Sequence, residues 1–363
     1  MSIAHLRRKT RGWAKAAIAN TVALRRYRIE DALVIAGHPR SGTTWLADMC
    51  AARAGTSILF EPLCPVSVPP ARAVGMDRLR YCRPQAPWPE GERFFRRVLQ
   101  GRLLNPWTVG INSWSRLLHT RRWVVKLVRG NGILHWLGNT FPIRRPVLLI
   151  RHPCAVVASQ IRLKPWADPG SPATPANLAA FPQFAPVLQR LRTPEECLAG
   201  RWCMANHAAL FSPRPHLWRV QSYEKLLLDP ATELESIFGD WGLPVPDGAM
   251  DRMRIPSRTT YSDSRPGDVQ AHLVRWRSIL YPGQIRRILA VVDAFGFDFY
   301  SNQPEPDYQR LAAWPTWLDR ITEAAAAIDH ELGTDSTEPA WPALVQRASR
   351  ETAEPARAEP LPK

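Results

Sequence analysis

Residues 33–45 read Leu-Val-Ile-Ala-Gly-His-Pro-Arg-Ser-Gly-Thr-Thr-Trp, an apolar run that passes directly into a loop of small, hydroxylated and basic residues. A helical pattern follows, from Thr43 to about Arg53. A strand, such a loop and a helix start together make an anion-binding element. Backbone N–H groups at the turn and the helix N-terminus point at the anion, and Arg40, Thr43 and Thr44 can add side-chain donors. The loop differs from the nucleotide loop of kinases and ATPases, which has four residues between its glycines and then Gly-Lys-Ser/Thr. That tripeptide is missing, and the cation, Arg40, precedes the glycine.

A second unit of the same kind lies about 110 residues further on. Residues 147–162 read Val-Leu-Leu-Ile-Arg-His-Pro-Cys-Ala-Val-Val-Ala-Ser-Gln-Ile-Arg. An apolar strand again ends in a basic loop and a helix. Between and beyond the two units, apolar runs alternate with helical periodicity. Strands are predicted at about 31–37, 57–60, 123–128, 147–151 and 216–220. Helices are predicted at 43–53, 132–139, 154–162, 195–211, 230–240 and 283–294. This alternation implies parallel βαβ units with right-handed crossovers, hence an α/β fold with a central parallel sheet of about five strands flanked by helices. Ligands in such sheets bind beyond the carboxyl ends of the strands. Arg40, Glu61, Lys126 and Arg151 all fall at or near those ends, which points to one site.

The two loops, in this order and at this separation, resemble those of sulfotransferases that use 3′-phosphoadenosine 5′-phosphosulfate (PAPS). The first resembles the phosphosulfate loop, in the Pro-Arg-Ser-Gly form of carbohydrate, tyrosyl-protein and many bacterial members, where small-molecule members carry Lys. The second resembles the unit in which an Arg and, eight residues on, a Ser grip the 3′-phosphate; Arg151 and Ser159 stand at that spacing. A third match, Ser222-Tyr223-Glu224-Lys225-Leu226-Leu227, resembles the segment after the family's last strand. The resemblance spans roughly residues 31–300. It implies the nucleotide-kinase-like sulfotransferase fold and sulfuryl transfer from PAPS to an acceptor hydroxyl by in-line displacement without a metal, leaving 3′-phosphoadenosine 5′-phosphate. It implies that Arg40, Ser41, Gly42, Thr43, Thr44 and Trp45 hold the phosphosulfate, and that Arg151 and Ser159 hold the 3′-phosphate. Tyr223 then contacts the adenine or shapes its pocket.

Sulfuryl transfer needs two positioned oxygens, a cation for charge on the leaving oxygen, and a base for the acceptor proton. Arg40 supplies the cation; it can fork two oxygens and keeps its charge, so it makes a poor acid. The His that small-molecule members carry after strand three is absent; Lys126-Leu127-Val128-Arg129-Gly130 stands there. Glu61, in Phe60-Glu61-Pro62-Leu63, resembles the Glu-Pro-Leu segment of carbohydrate sulfotransferases and is the candidate base. A structural acid paired with Arg40 or Lys126 is the other reading, and the two are compatible. Lys126 is either an active-site lysine or an end-of-strand lysine reaching solvent. The family's closing Arg-Lys-Gly segment is not present as such; Ser257 and Arg258 occupy about its place. His38 and His152 read as loop-packing residues. Trp88, Trp107 and Trp114 are candidates to stack on a sugar ring, against simple packing.

The formal charge of +16 suits an anionic partner, and the excess is spread along the chain rather than gathered into a nucleic-acid module. No nucleic-acid partner is expected. A nucleotide-dependent kinase of related fold and a non-catalytic anion-binding or nucleic-acid-binding protein are the rival classes. Six cysteines without a Cys-x-x-Cys pair argue against a zinc site and a disulfide framework. No secretory signal and no 18-residue apolar span is found, so a cytoplasmic protein is expected. The Arg-, Ala- and Pro-rich composition suggests a bacterial source.

Residues 1–30 form a basic leader with helical propensity. Residues 1–29 carry eight Lys or Arg and no acid, which fits either an interfacial helix on anionic lipid at the inner membrane face or a solvated leader. Residues 31–300 form the main domain, with insertions at 62–119 and 163–194. The last segment, 301–363, is acidic and rich in Pro and Ala; a helix is predicted near Tyr308–Leu332 and disorder at the end. The acceptor is expected to be a glycan, glycolipid or similar larger metabolite.

Overall fold

The computed structural model describes residues 3–22, 27–76, 80–82, 85–163, 169–211, 217–255 and 268–313. Ser257 and Arg258 lie outside them. Only the first residues of the helix predicted at 308–332 are described.

Five parallel strands form one sheet: β1 (Leu33–Gly37), β2 (Thr56–Phe60), β3 (Arg122–Val128), β4 (Val147–Ile150) and β5 (Arg219–Ser222), in the spatial order β2-β3-β1-β4-β5. Strands β1 and β4 are continuous apolar runs because both faces of the sheet are covered. Side chains alternate between the two faces. Val34, Ala36, Val125, Leu127, Leu148 and Ile150 enter one core with Phe95, Trp136, Trp202 and Phe297. Leu33, Ile35, Val124, Val147 and Leu149 enter the other, with Leu46, Phe238 and Trp241. Strand β5 differs from the sequence expectation. It begins at Arg219 because its pairing with β4 (Val147 with Arg219, Ile150 with Ser222) fixes the register. It therefore ends directly before Tyr223.

The helices that matter for the site are α1 (Ile3–Val22), α2 (Thr43–Cys50), α3 (Pro106–Val109), α4 (Pro153–Ile161), α5 (Pro194–Leu210) and α6 (Tyr223–Leu228). The described part of residues 62–119 carries short helices joined by loops, and α3 is one of them. Helix α1 is docked on the domain rather than solvated. Its small side chains Ala16 and Ala19 are buried, and Lys15 Nζ donates to the carbonyls of Gly110 (3.1 Å) and Asn112 (2.5 Å) just past α3. Among the described residues no helix is long and apolar enough to cross a membrane.

The strand order creates a switch point. The chain leaves β1 toward the β2 edge and leaves β4 toward the β5 edge, so the loops after these neighbours diverge and open a crevice at their carboxyl ends.

Candidate active site

The loop after β1 is held tightly by its neighbours. A side chain at Gly37 would meet Thr43 Cγ2 at 2.7 Å and the Leu149 carbonyl at 2.8 Å, so only glycine lets the loop turn back over β4. The turn His38–Ser41 is closed by Ser41 N–H donating to the His38 carbonyl at 3.1 Å. Pro39 takes its second position and Arg40, at φ 77°, its third. Gly42 follows at φ 92°, where an added Cβ would lie 2.5 Å from the Tyr223 ring. Helix α2 then begins, with Thr43 and Thr44 buried.

The two sequence motifs converge here. Arg40 Nε donates to Ser159 Oγ on α4 at 3.0 Å, and Arg151 Nη1 donates to the Arg40 carbonyl at 3.3 Å. The Arg151 guanidinium lies 4.2 Å over the Tyr223 ring. Tyr223, at the start of α6, also touches Trp45 (ring centroids 5.4 Å apart) and bonds to His272 Nε2 through its hydroxyl at 2.9 Å. It is buried, so its body shapes the floor on which Arg151 rests. Trp45 is likewise buried, its indole N–H donating to the Met253 carbonyl.

Two strands away, Lys126 Nζ donates to Glu61 Oε1 at 2.6 Å and lies 4.3 Å over the Phe60 ring. The lysine is buried and the carboxylate partly exposed. Burial pulls Lys126 below the ordinary lysine range, opposed by Glu61 and reinforced by the charges of Arg129 and Arg40. Lys126 therefore does not reach solvent as an end-of-strand lysine would; its partner is Glu61. Helix α3 closes this side: Trp107 Nε1 donates to the Glu61 carbonyl at 3.3 Å, its ring half-exposed.

Of the three tryptophans singled out in the sequence, Trp107 alone touches this region. Trp88 packs on Phe95 and Trp136 (5.8 and 5.0 Å), with the Arg80 guanidinium over it. Trp114 lies beneath Lys15.

His38 and His152 serve the scaffold. His38 is buried and bonded to Gln160 on α4. Burial first, then the charges of Arg129 and Arg201, hold it neutral with a pKa near 3. His152 stacks on Trp276 (4.9 Å, 12°) and bonds to the Ser301 carbonyl. Glu224 is buried and accepts from the His152 N–H and the Ser222 hydroxyl, so it ties the loop after β4 to β5.

Two participants escaped the sequence reading. His272, far along the chain, carries no motif. Arg129 has a signal only in hindsight, a third basic residue at a strand's carboxyl end.

No family model matches the sequence, and no curated protein does. Solved structures do match. The sulfotransferase domain of the olefin synthase from Synechococcus PCC 7002 is 17% identical, with a TM-score of 0.39 over 76% of this chain and 100% of that one. The sulfotransferase domain from the curacin biosynthetic pathway is 15% identical, with a TM-score of 0.42 over 74% of this chain and 98% of that one. Both carry the name of the family that the two loop motifs resemble.

Proposed function

We propose that this chain is a sulfotransferase that transfers a sulfuryl group from PAPS to a hydroxyl of an acceptor. The carrying observation is the joining of the two anion-binding loops at the β1–β4 crevice through Arg40, Ser159 and Arg151. The residues present fit the donor. Buried polar atoms are normally paired, yet the Ser41 hydroxyl and Arg151 Nε have no hydrogen-bond partner among the described residues. These unpaired donors belong to the two loops that meet at the crevice. Ser41, Gly42, Thr43, Thr44 and Arg40 would hold the phosphosulfate, and Arg151 with Ser159 the 3′-phosphate. Tyr223 and Trp45 support that wall. When bound, PAPS supplies the sulfuryl group and a phosphate leaving group.

The chain's own residues divide the remaining work. Arg40 presents a permanent cation for charge that develops on a phosphate oxygen. Lys126 holds Glu61 Oε1, which fixes the carboxylate and leaves Oε2 to face an acceptor hydroxyl and take its proton. Trp107, fixed by its bond to the Glu61 backbone, offers an apolar face beside that oxygen. This supports a sugar ring or a similar flat, weakly polar acceptor surface, as in a glycan, glycolipid or larger metabolite.

A cytoplasmic location, with residues 1–29 touching an anionic membrane, is part of the proposal. It is supported by the uncompensated basic charge of the segment and the exposed ring of Trp13.

A thermal-shift measurement tests the enzyme class. At a hundred times its dissociation constant, 3′-phosphoadenosine 5′-phosphate should add about 2.7 kcal/mol of apparent stability. Stabilisation by ATP with Mg instead would favour a kinase. No response to either nucleotide would leave a non-catalytic anion binder.

A further inference from the structure

Three non-glycine residues among those described adopt positive φ: Arg40 (77°), Glu61 (42°) and Arg129 (74°). All are charged. Each stands just past the carboxyl end of one of three adjacent strands, β1, β2 and β3. A left-handed conformation costs an ordinary residue about 1–2 kcal/mol and persists only where the surroundings impose it. Two of the three already have roles in the proposed reaction. The third has none.

Arg129 is the twin of Arg40. The chain after β3 makes a tight turn, Leu127–Gly130, closed by Gly130 N–H donating to the Leu127 carbonyl at 3.0 Å. The turn after β1, His38–Ser41, is closed by the same kind of bond at 3.1 Å. In both turns an arginine occupies the third position with nearly the same φ, where a turn of this shape ordinarily carries Gly or Asn. The strands are hydrogen-bonded neighbours, and Gly37 pairs with Val128, so the two turns sit side by side at one edge of the sheet.

The Arg129 charge faces the same place as that of Arg40. It acts on Lys126 from just past the end of β3, as Arg40 does from beyond β1, and on His38 in the neighbouring loop. Its Nη1 is buried without a hydrogen-bond partner among the described residues. A buried guanidinium N–H left unpaired is costly, and among the described residues no carboxylate is seen paired with it: Glu61, the acid of this cluster, is bonded to Lys126.

We infer that Arg129 is a second arginine for the sulfate end of the donor, a binding group for sulfate oxygens beside Arg40 and Lys126. This inference rests on the sulfotransferase reading and makes it more specific. The 3′-phosphate has Arg151 and the bridging phosphate has Arg40, while Arg129, beside Lys126 and Glu61, lies on the acceptor side of the phosphosulfate loop.

The experiment is a calorimetric titration of the full chain with PAPS and with 3′-phosphoadenosine 5′-phosphate, which differ only by the sulfuryl group. Arg129→Asn and Arg129→Gly both remove the charge; the glycine also relieves the backbone strain. Both variants should bind PAPS about tenfold more weakly than the unsubstituted protein, the scale of one charge-assisted contact, and bind the desulfated nucleotide within about twofold. Equal weakening for both nucleotides, or none for either, would overturn the inference. So would a loss in one variant only, which would mark a backbone effect. If Arg129→Asn does not fold, Arg129→Gly carries the measurement. Should the unsubstituted protein bind neither nucleotide, the sulfotransferase reading itself fails and takes this inference with it.

Discussion

Lys126 Nζ sits 2.6 Å from Glu61 Oε1, a buried ammonium beneath a partly exposed carboxylate at the carboxyl ends of neighbouring strands. The pair explains how a lysine can remain inside the sheet. It also ties the proposed base to a buried cation, so the two residues can be tested together.

Glu61→Gln keeps the shape of the side chain and removes the proton acceptor. Turnover should fall by about 100-fold or more, while binding of 3′-phosphoadenosine 5′-phosphate stays nearly unchanged. The substitution also leaves the Lys126 ammonium without its counter-charge, which should cost about 1–3 kcal/mol. Melting of the single variant and of Glu61→Gln/Lys126→Met checks this. The double variant should be the more stable of the two, because it no longer buries an unpaired charge. Near-normal turnover in a folded Glu61→Gln protein would move the base elsewhere.

Arg151→Ala should weaken 3′-phosphoadenosine 5′-phosphate by tenfold to a hundredfold, the range for a lost charge-assisted contact. The analogue lacking the 3′-phosphate should change little. Because Arg151 also holds the Arg40 carbonyl and rests on Tyr223, some loss is expected for both ligands. The selectivity between them is the decisive quantity, and its survival would count against the assigned role.

Gly42→Ala forces a positive φ on alanine and drives a methyl group into the Tyr223 ring. Tyr223 has little freedom to yield, since Arg151 lies over its face and His272 holds its hydroxyl. A loss of about 1–3 kcal/mol is expected in denaturant unfolding. Nucleotide affinity should fall with it, as the loop is displaced. A variant with wild-type stability would show that the ring moves readily.

Acid should unfold the protein early. Burial holds His38 and His207 near pKa 3, and burial with nearby arginines holds His272 near 4; His152 is also near 4, chiefly through burial. In the unfolded chain these groups take up protons near pH 6.5. Between pH 6.5 and about 3–4 the unfolded state therefore binds more protons. Stability is fully present above that range and is lost as pH falls through it, by about 1–2 kcal/mol per histidine at pH 5. His207 stacks on Phe211 and touches Phe181, Phe184 and Phe297. His207→Phe should flatten the fall in melting temperature between pH 7 and 5. An unchanged slope would exclude it as a contributor.

The strands were legible because a sheet covered on both faces demands unbroken apolar runs, and β1 and β4 supply them in plain form. The placement of Arg40 and Arg151 followed, since strand ends in such a sheet point to one crevice. The link between them was not legible. The family resemblance puts Ser159 on the 3′-phosphate beside Arg151, while the structure bonds it to Arg40. Nor could a sequence separate Trp107 from Trp88, because a tryptophan in the core and one at a site have the same composition signal. Helix α1 was ambiguous for a related reason: alanines and a lysine suit a solvated helix as well as a docked one, until Lys15 meets the carbonyls past α3. The register of β5 escaped because its pairing with β4, rather than its own apolarity, sets its start.

The left-handed arginines have a consequence for how this protein can change over generations. Glycine at position 40 or 129 would relax its turn and raise the melting point. A laboratory selection for heat resistance alone should therefore drift toward glycine at both positions, while a selection that also demands turnover should hold arginine there. Sequencing the survivors of the two regimes would separate residues kept for the fold from residues kept despite it.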